Sequence, residues 1–240
     1  MAIKNPPWQR DELILALDLY FRFTPSHISK SHPEVIKLSN ILNSLPIHKE
    51  RPDRIKFRNP NGVYMKLCNF LRYDPDYQGV GLQRGGKLEE IIWKEFYNDK
   101  VKLSNISKNI INGITELNNI DIETSDDLND EENEFPEGKV LYKLHKYRER
   151  NNAAITRLKE IAESQGKLFC IICGFDFYKV YGKIGKGYIE CHHTLPVSEY
   201  KHKKTTKIEE LVLVCSNCHR MLHRKRPWLS IKELTSLIIK

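Results

Sequence analysis

Apolar residues recur at helical spacing through the first hundred positions. Trp8 to Phe23 reads as a helix, with Leu13, Leu17 and Tyr20 on one face and Asp11 and Glu12 suited to its first turn. A second helical pattern runs from about His32 to Ser44, with Pro33 near its start. Pro46 to Gly62 is polar, basic and broken by Pro46, Pro52 and Pro60, so it predicts a loop. Val63 to Tyr73 returns to a helical pattern, and Gly79, Gly81, Gly85 and Gly86 form a loop before another helix, Lys87 to Tyr97. Lys139 to Gly166 predicts one or two basic helices closed by Gly166. Tyr188 to Cys191 and Leu211 to Val214 are short and strand-like. No repeat at solenoid spacing is present.

Between these patterns, residues 119–138 carry no Lys or Arg, nine Asp or Glu and almost no apolar content. Such a segment cannot bury enough surface to order itself and repels itself into extension, which predicts a linker. The fold class expected is therefore α+β, with a helix-rich domain over 1–118, an acidic flexible linker over 119–138 and a second domain over 139–240. A chain of 240 residues with 40% hydrophobic content suffices for two modest cores. No apolar run approaches a membrane span, and Met1 to Arg10 lacks a signal-peptide core, so the expectation is a soluble, cytoplasmic protein without membrane association.

The net charge of +8 divides into +5 over 1–118, −9 over 119–138 and +12 over 139–240. Two basic segments suggest a polyanion partner, more strongly for the second. Lys143, Lys146, Arg150 and Arg157 can lie along a phosphate backbone or simply solvate a helix face.

Cysteine spacing sharpens the picture. Cys170-x-x-Cys173 and Cys215-x-x-Cys218 each form a turn that aims two thiolates at one ion, and two such pairs complete tetrahedral zinc. A closed four-thiolate shell leaves no position for substrate, so this site is structural. Cys68 and Cys191 read as small buried residues. His219 and His223 are four apart and share a helix face, while His192 and His193 stand at a strand end, where one can ligate a metal and its neighbour address a water.

The second half resembles HNH nucleases of the ββα-metal type. The resemblance rests on Glu137-Gly138-Lys139, on Cys170 to Phe175, on Ile189-Glu190-Cys191-His192-His193-Thr194, on Leu213 to His223 and on Arg226-Pro227-Trp228-Leu229-Ser230. Together these motifs are similar to the McrA-type, modification-dependent restriction endonucleases, which implies a phosphodiester hydrolase acting in antiviral defence. It implies Cys170, Cys173, Cys215 and Cys218 as structural zinc ligands. It further implies His193 as general base and His192, His219 and His223 as ligands of one catalytic divalent ion (Mn²⁺, Co²⁺, Ni²⁺, Mg²⁺ or Zn²⁺). Imidazoles favour the borderline ions over Mg²⁺. The asparagine that often gives the family its middle letter is replaced by Glu210, which can still orient the loop and the base histidine.

The first half shows no catalytic constellation. Its distinctive stretch is Arg58 to Phe70, preceded by Arg51, Arg54 and Lys56. This stretch and Trp8 to Tyr20 resemble the modules that precede this nuclease domain in restriction proteins and sense modified DNA, 5-methylcytosine and phosphorothioate among the marks. Candidate contacts are Arg54, Arg58, Asn59, Asn61, Tyr64, Lys66 and Trp8, with Tyr64, Trp8 and Pro60 as apolar wall and Arg58, Asn61 and Arg54 as donors. The partner expected is double-stranded DNA, and cutting both strands with one-metal sites suits a homodimer. Two other readings stand beside this one: a non-catalytic zinc-dependent DNA-binding protein, and an HNH nicking or homing nuclease with sequence specificity.

Overall fold

The computed structural model describes residues 4–79, 86–118, 138–150, 153–194, 207–224 and 228–239. The acidic segment predicted as a linker, apart from its last residue Gly138, lies outside the described residues, as do Gly81, Gly85 and the side chains of Lys146 and Arg150. The chain divides into two compact units, Met1–Tyr142 and Lys143–Lys240.

The first unit is helical. It contains α1 (Arg10–Arg22), α2 (Pro33–Ser44), α3 (Pro60–Phe70), α4 (Lys87–Phe96), α5 (Lys100–Asn118) and the first turn of α6 (Lys139–Arg150). Its axis is α1, which packs against α2, α3, α4 and α5. The stripe of Leu13, Leu17 and Tyr20 predicts a one-sided helix, yet every residue from Asp11 to Leu17 is buried, with Leu19 and Tyr20. Packed against four other helices, this stretch has no solvent face, so Asp11 and Glu12 must find partners inside.

Asp11 finds them at the start of α6. Its carboxylate accepts from the backbone N–H of Lys139 at 2.7 Å and of Val140 at 3.0 Å, capping α6 from 128 residues away. Gly138 makes this approach possible: its φ is +90°, and a Cβ there would lie 2.4 Å from Asp11 Oδ1.

In the first unit, two helices differ from expectation. The helix α3 begins at Pro60, three residues before the predicted Val63, because Asn59 caps it: Asn59 Oδ1 accepts from Gly62 N–H at 2.8 Å, and Pro60 fills the first helical position. The helix α5 occupies a stretch to which the apolar pattern above assigned no element. Its Ser, Asn, Gly and β-branched residues are weak helix formers. Burial of Leu103, Ile106, Ile110, Ile114 and Leu117 on one stripe decides the matter.

The second unit contains α7 (Ala153–Ser164), α8 (Phe177–Tyr181), β1 (Glu190–His193), β2 (Leu211–Val214), α9 (Ser216–Leu222) and α10 (Ile231–Leu237). As predicted, Gly166 closes α7, with a φ of +65°. The strands pair antiparallel, Glu190 opposite Val214 and His193 opposite Leu211. The first strand extends two residues beyond the expected end at Cys191, so both histidines stand in the ladder. With α9 following directly, this is the β-hairpin and helix of a ββα-metal-type fold. Its largest apolar cluster contains Cys170, Ile172, Val214, Cys215, Cys218, Leu222 and Leu234.

Candidate metal centres

The Cys170–Cys173 turn is built by Gly174, whose φ of +75° lets its N–H return to Cys170 O at 2.8 Å. Ile171 N–H bonds Leu213 O at 3.0 Å and ties the turn to β2. Across from it, Cys215 caps α9, its Sγ accepting from Cys218 N–H at 3.4 Å. These bonds bring the four Sγ atoms of Cys170, Cys173, Cys215 and Cys218 within 4.8 Å of one another. The Cys173–Cys215 separation is 3.7 Å, against about 3.8 Å for the edge of a tetrahedron built on a Zn–S bond of about 2.3 Å. Burial pushes the Cys218 thiol up, and the neighbouring cysteines push it further. At Cys170 burial acts the same way, but hydrogen bonds with the backbone of Cys173, Cys215 and Ile172 outweigh it and hold the thiol below its usual range. Four thiolates at this spacing need a cation, and the donor set fits structural zinc.

The second cluster is formed between β1 and the C-terminal end of the same helix. Alternation along β1 puts Glu190 and His192 on one face and Cys191 and His193 on the other. On α9, His219 and His223 are one turn apart, and their rings stand 5.0 Å from each other and 5.2 and 4.9 Å from that of His192. One nitrogen from each ring lies within 4.8 Å of the other two. Three imidazoles without a fourth protein ligand are the donor set of a catalytic rather than a structural site. Cys218 and His219 are consecutive, so a seven-residue helix supplies ligands to both clusters.

Two further residues orient this cluster. Glu190 Oε2 lies 2.6 Å from His219 Nδ1, and that hydrogen bond holds the Glu190 carboxyl below its usual range. A proton kept on Nδ1 makes Nε2 the ligating nitrogen. Trp228 meets the His223 ring edge-on at a centroid distance of 4.4 Å. Neither residue type at its position signals such a role locally, although Glu190 stands two residues before His192, the strand interval that shares a face.

His193 is buried on the other face of β1, where Cys191 packs with Ile155 and Leu211. Glu210 acts beside it through its backbone: its carbonyl accepts from Thr194 N–H at 2.9 Å and from Thr194 Oγ1 at 3.1 Å. The Glu210 carboxylate accepts from Lys207 N–H at 3.1 Å and braces the loop before β2.

The seven candidate DNA contacts separate into two groups. Where a surface donor was expected at Arg58, the structure holds a buried ion pair: Arg58 is 5% exposed and its guanidinium bonds Glu12 Oε2 at 2.8 Å, Pro6 O at 3.1 Å and Pro7 O at 3.0 Å. It also lies 4.7 Å over the Trp8 ring, and Lys66 lies 5.2 Å from that ring while pairing with Glu89. Asn59 is occupied as the α3 cap, and the Tyr64 hydroxyl donates to Pro25 O at 3.3 Å. Arg54 and Asn61 are exposed.

Residues 170–225 match a family model described as HNH endonuclease, a span that takes in both cysteine pairs and the candidate histidines His192, His193, His219 and His223. No curated protein matches the chain, and no solved structure does. The matched domain, the four-cysteine cluster and the three-histidine cluster together are those of a metal-dependent nuclease. Among the described residues, no helix is long and apolar enough to cross a membrane.

Proposed function

We propose that this protein is a restriction endonuclease that hydrolyses DNA phosphodiesters with His193 as general base, and that its first unit directs it to modified DNA. The observation that carries the catalytic part is the convergence of His192, His219 and His223 beside a strand that also bears His193. The imidazoles of His192, His219 and His223 would hold a divalent ion, which would supply Lewis-acid stabilisation of charge on the phosphate. Neutral His193 accepts the proton of the attacking water, a task to which the imidazole ring is chemically suited. Thr194, held by the Glu210 carbonyl, fixes the backbone next to that base. Glu190 holds His219 in its ligating tautomer.

The modification-reading part is supported by the resemblance carried in Trp8 to Tyr20 and Arg58 to Phe70, and by the exposed donors Arg54 and Asn61. Double-strand cutting by a one-metal site is best served by a homodimer. Incubation with methylated, phosphorothioated and plain plasmid tests the whole reading. Preferential cutting of one modified plasmid is expected, and equal cutting of all three would make the chain a sequence-directed nuclease. His193→Ala is expected to lower cleavage by roughly 10²–10⁴-fold with fold and metal content kept; full activity in that variant would remove the base assignment.

A further inference from the structure

Between the zinc turn and β1 the second unit exposes apolar residues that no core explains. Ile184 is 87% exposed, and Tyr178, Val180, Tyr181 and Tyr188 are each more than half exposed. This lobe is tightly built. Phe177 is its hub, 4.7 Å from the Tyr188 ring and 6.1 Å from that of Tyr181. The turn that carries Ile184 folds back so closely that a Cβ on Gly185 would lie 2.1 Å from Phe177 O. The exposure of Ile184 is therefore fixed by the fold rather than by fraying.

Charge indicates the occupant. From Lys167 to Tyr188 the chain has Lys167, Lys179, Lys183 and Lys186 against a single acid, Asp176. Asp176 caps α8 through its bond from Lys179 N–H. The Lys179 ammonium reaches Asp176 at 3.8 Å and stays largely exposed, as are Lys183 and Lys186. Cations interleaved with aromatic and aliphatic side chains suit a polyanion that also presents apolar surface, which nucleic acid does through its sugars and bases. The lobe also runs into the histidine centre: Tyr188 Oη lies 3.5 Å from Ser216 Oγ at the start of α9, and Glu190 follows two residues later to hold His219.

We infer that this lysine-and-tyrosine lobe is the docking face for the DNA that flanks the scissile phosphate, with Lys179, Lys183 and Lys186 on phosphates and Tyr178 and Ile184 against the groove. The inference rests on the nuclease reading and adds to it the surface that grips the substrate.

The test uses the full chain, a fluorescent duplex and two double variants, Tyr178→Ala with Ile184→Ser and Lys183→Gln with Lys186→Gln. Binding is read by anisotropy in a His193→Ala background, so that the duplex stays intact. The apolar pair is expected to raise Kd about tenfold. The lysine pair is expected to reduce the slope of log affinity against log salt by roughly two. Hydrolysis of bis(4-nitrophenyl) phosphate, measured with His193 present, should be unchanged by either pair because that small diester does not span the lobe. Parental duplex affinity and salt slope in both variants would overturn the inference. So would a loss of self-association in the apolar pair at constant duplex affinity, which would make the lobe a contact between copies. An inactive parent chain toward the small diester would instead count against the nuclease reading, with the binding measurements still deciding the lobe.

Discussion

Glu12 and Arg58 in the first unit, and Cys170, Cys215 and Cys218 of the cysteine cluster in the second, are buried polar groups, but their charges are balanced differently. The ion pair sits among helices whose core runs from Leu13 to Leu117, and the chain itself supplies every partner: Arg58, His48 and the Gln9 N–H surround the Glu12 carboxylate. Three of the four cysteines belong to an apolar cluster of only seven residues, beside two strands of four residues each, and Cys173 stands at its exposed edge. There the chain supplies four sulfur donors, and the balancing charge must come from an ion. A unit with a small core can be stable when ligation replaces part of the missing apolar burial. The first unit is thus expected to fold by packing, and the second by packing plus metal.

The largest effect expected from this contrast is the response to zinc removal. Calorimetry of the intact chain should show two transitions, and a strong chelator should abolish the one belonging to the second unit while sparing the first. Structural zinc sites contribute on the order of 10 kcal/mol, more than so small a core can replace. Persistence of both transitions after complete demetallation would erase the contrast.

Next in size is the buried ion pair. Glu12→Gln leaves the Arg58 guanidinium buried without its counter-charge, and a cost of about 3–5 kcal/mol to the first unit is expected. Hydrolysis of a small diester by the second unit should be spared. The same pair gives the first unit an acid sensitivity. Burial raises the Glu12 pKa, but hydrogen bonds from His48 and Arg58 outweigh it and hold the carboxyl below the usual carboxylate range. A depressed carboxylate contributes stability that is present above the unfolded pKa and lost as pH falls through the folded one. Denaturant midpoints for the first transition should therefore drop below about pH 4.3, and Glu12→Gln should flatten that drop. An unchanged acid limb in the variant would assign the sensitivity elsewhere.

The smallest expected effect separates the two metal sites. Glu190→Gln removes the charge behind His219 and is expected to weaken binding of the exchangeable ion about tenfold. Zinc in the cysteine cluster should be retained. Titration with Co²⁺ measures the first quantity and elemental analysis the second. Equal loss of both ions would mean that Glu190 holds the fold rather than the ligand.

Much of the second unit was legible in advance because metal ligation leaves fixed spacings. The two Cys-x-x-Cys pairs and the four-residue interval between His219 and His223 mark a turn and a helix face directly. The strand Leu211–Val214 was legible for a similar reason, as a short apolar run ending at a cysteine turn. Glu190 was harder, since its importance depends on which residue of α9 lies across from it. In the first unit the sequence told less. The arginine-rich stretch around Arg58 reads equally well as a DNA surface or a scaffold, because its buried partner, Glu12, is 46 residues away in the chain. Likewise α5 was decided by the groove that receives it, not by its own weak helix formers. Long-range partners are what a local pattern cannot show.

Metal stoichiometry tests the central claim most directly, because α9 joins the two sites in one direction only. Native mass spectrometry of the full chain, supplied with Zn²⁺ and then Mn²⁺, is predicted to show two ions per chain, one retained and one exchangeable. His219→Ala should lose the exchangeable ion and keep the retained one. Cys218→Ser should lose both, since the helix that presents His219 and His223 is anchored by that cysteine cluster. A single ion per chain under saturating conditions, unaffected by His219→Ala, would contradict a catalytic centre here and leave a zinc-clasped DNA-binding protein in its place.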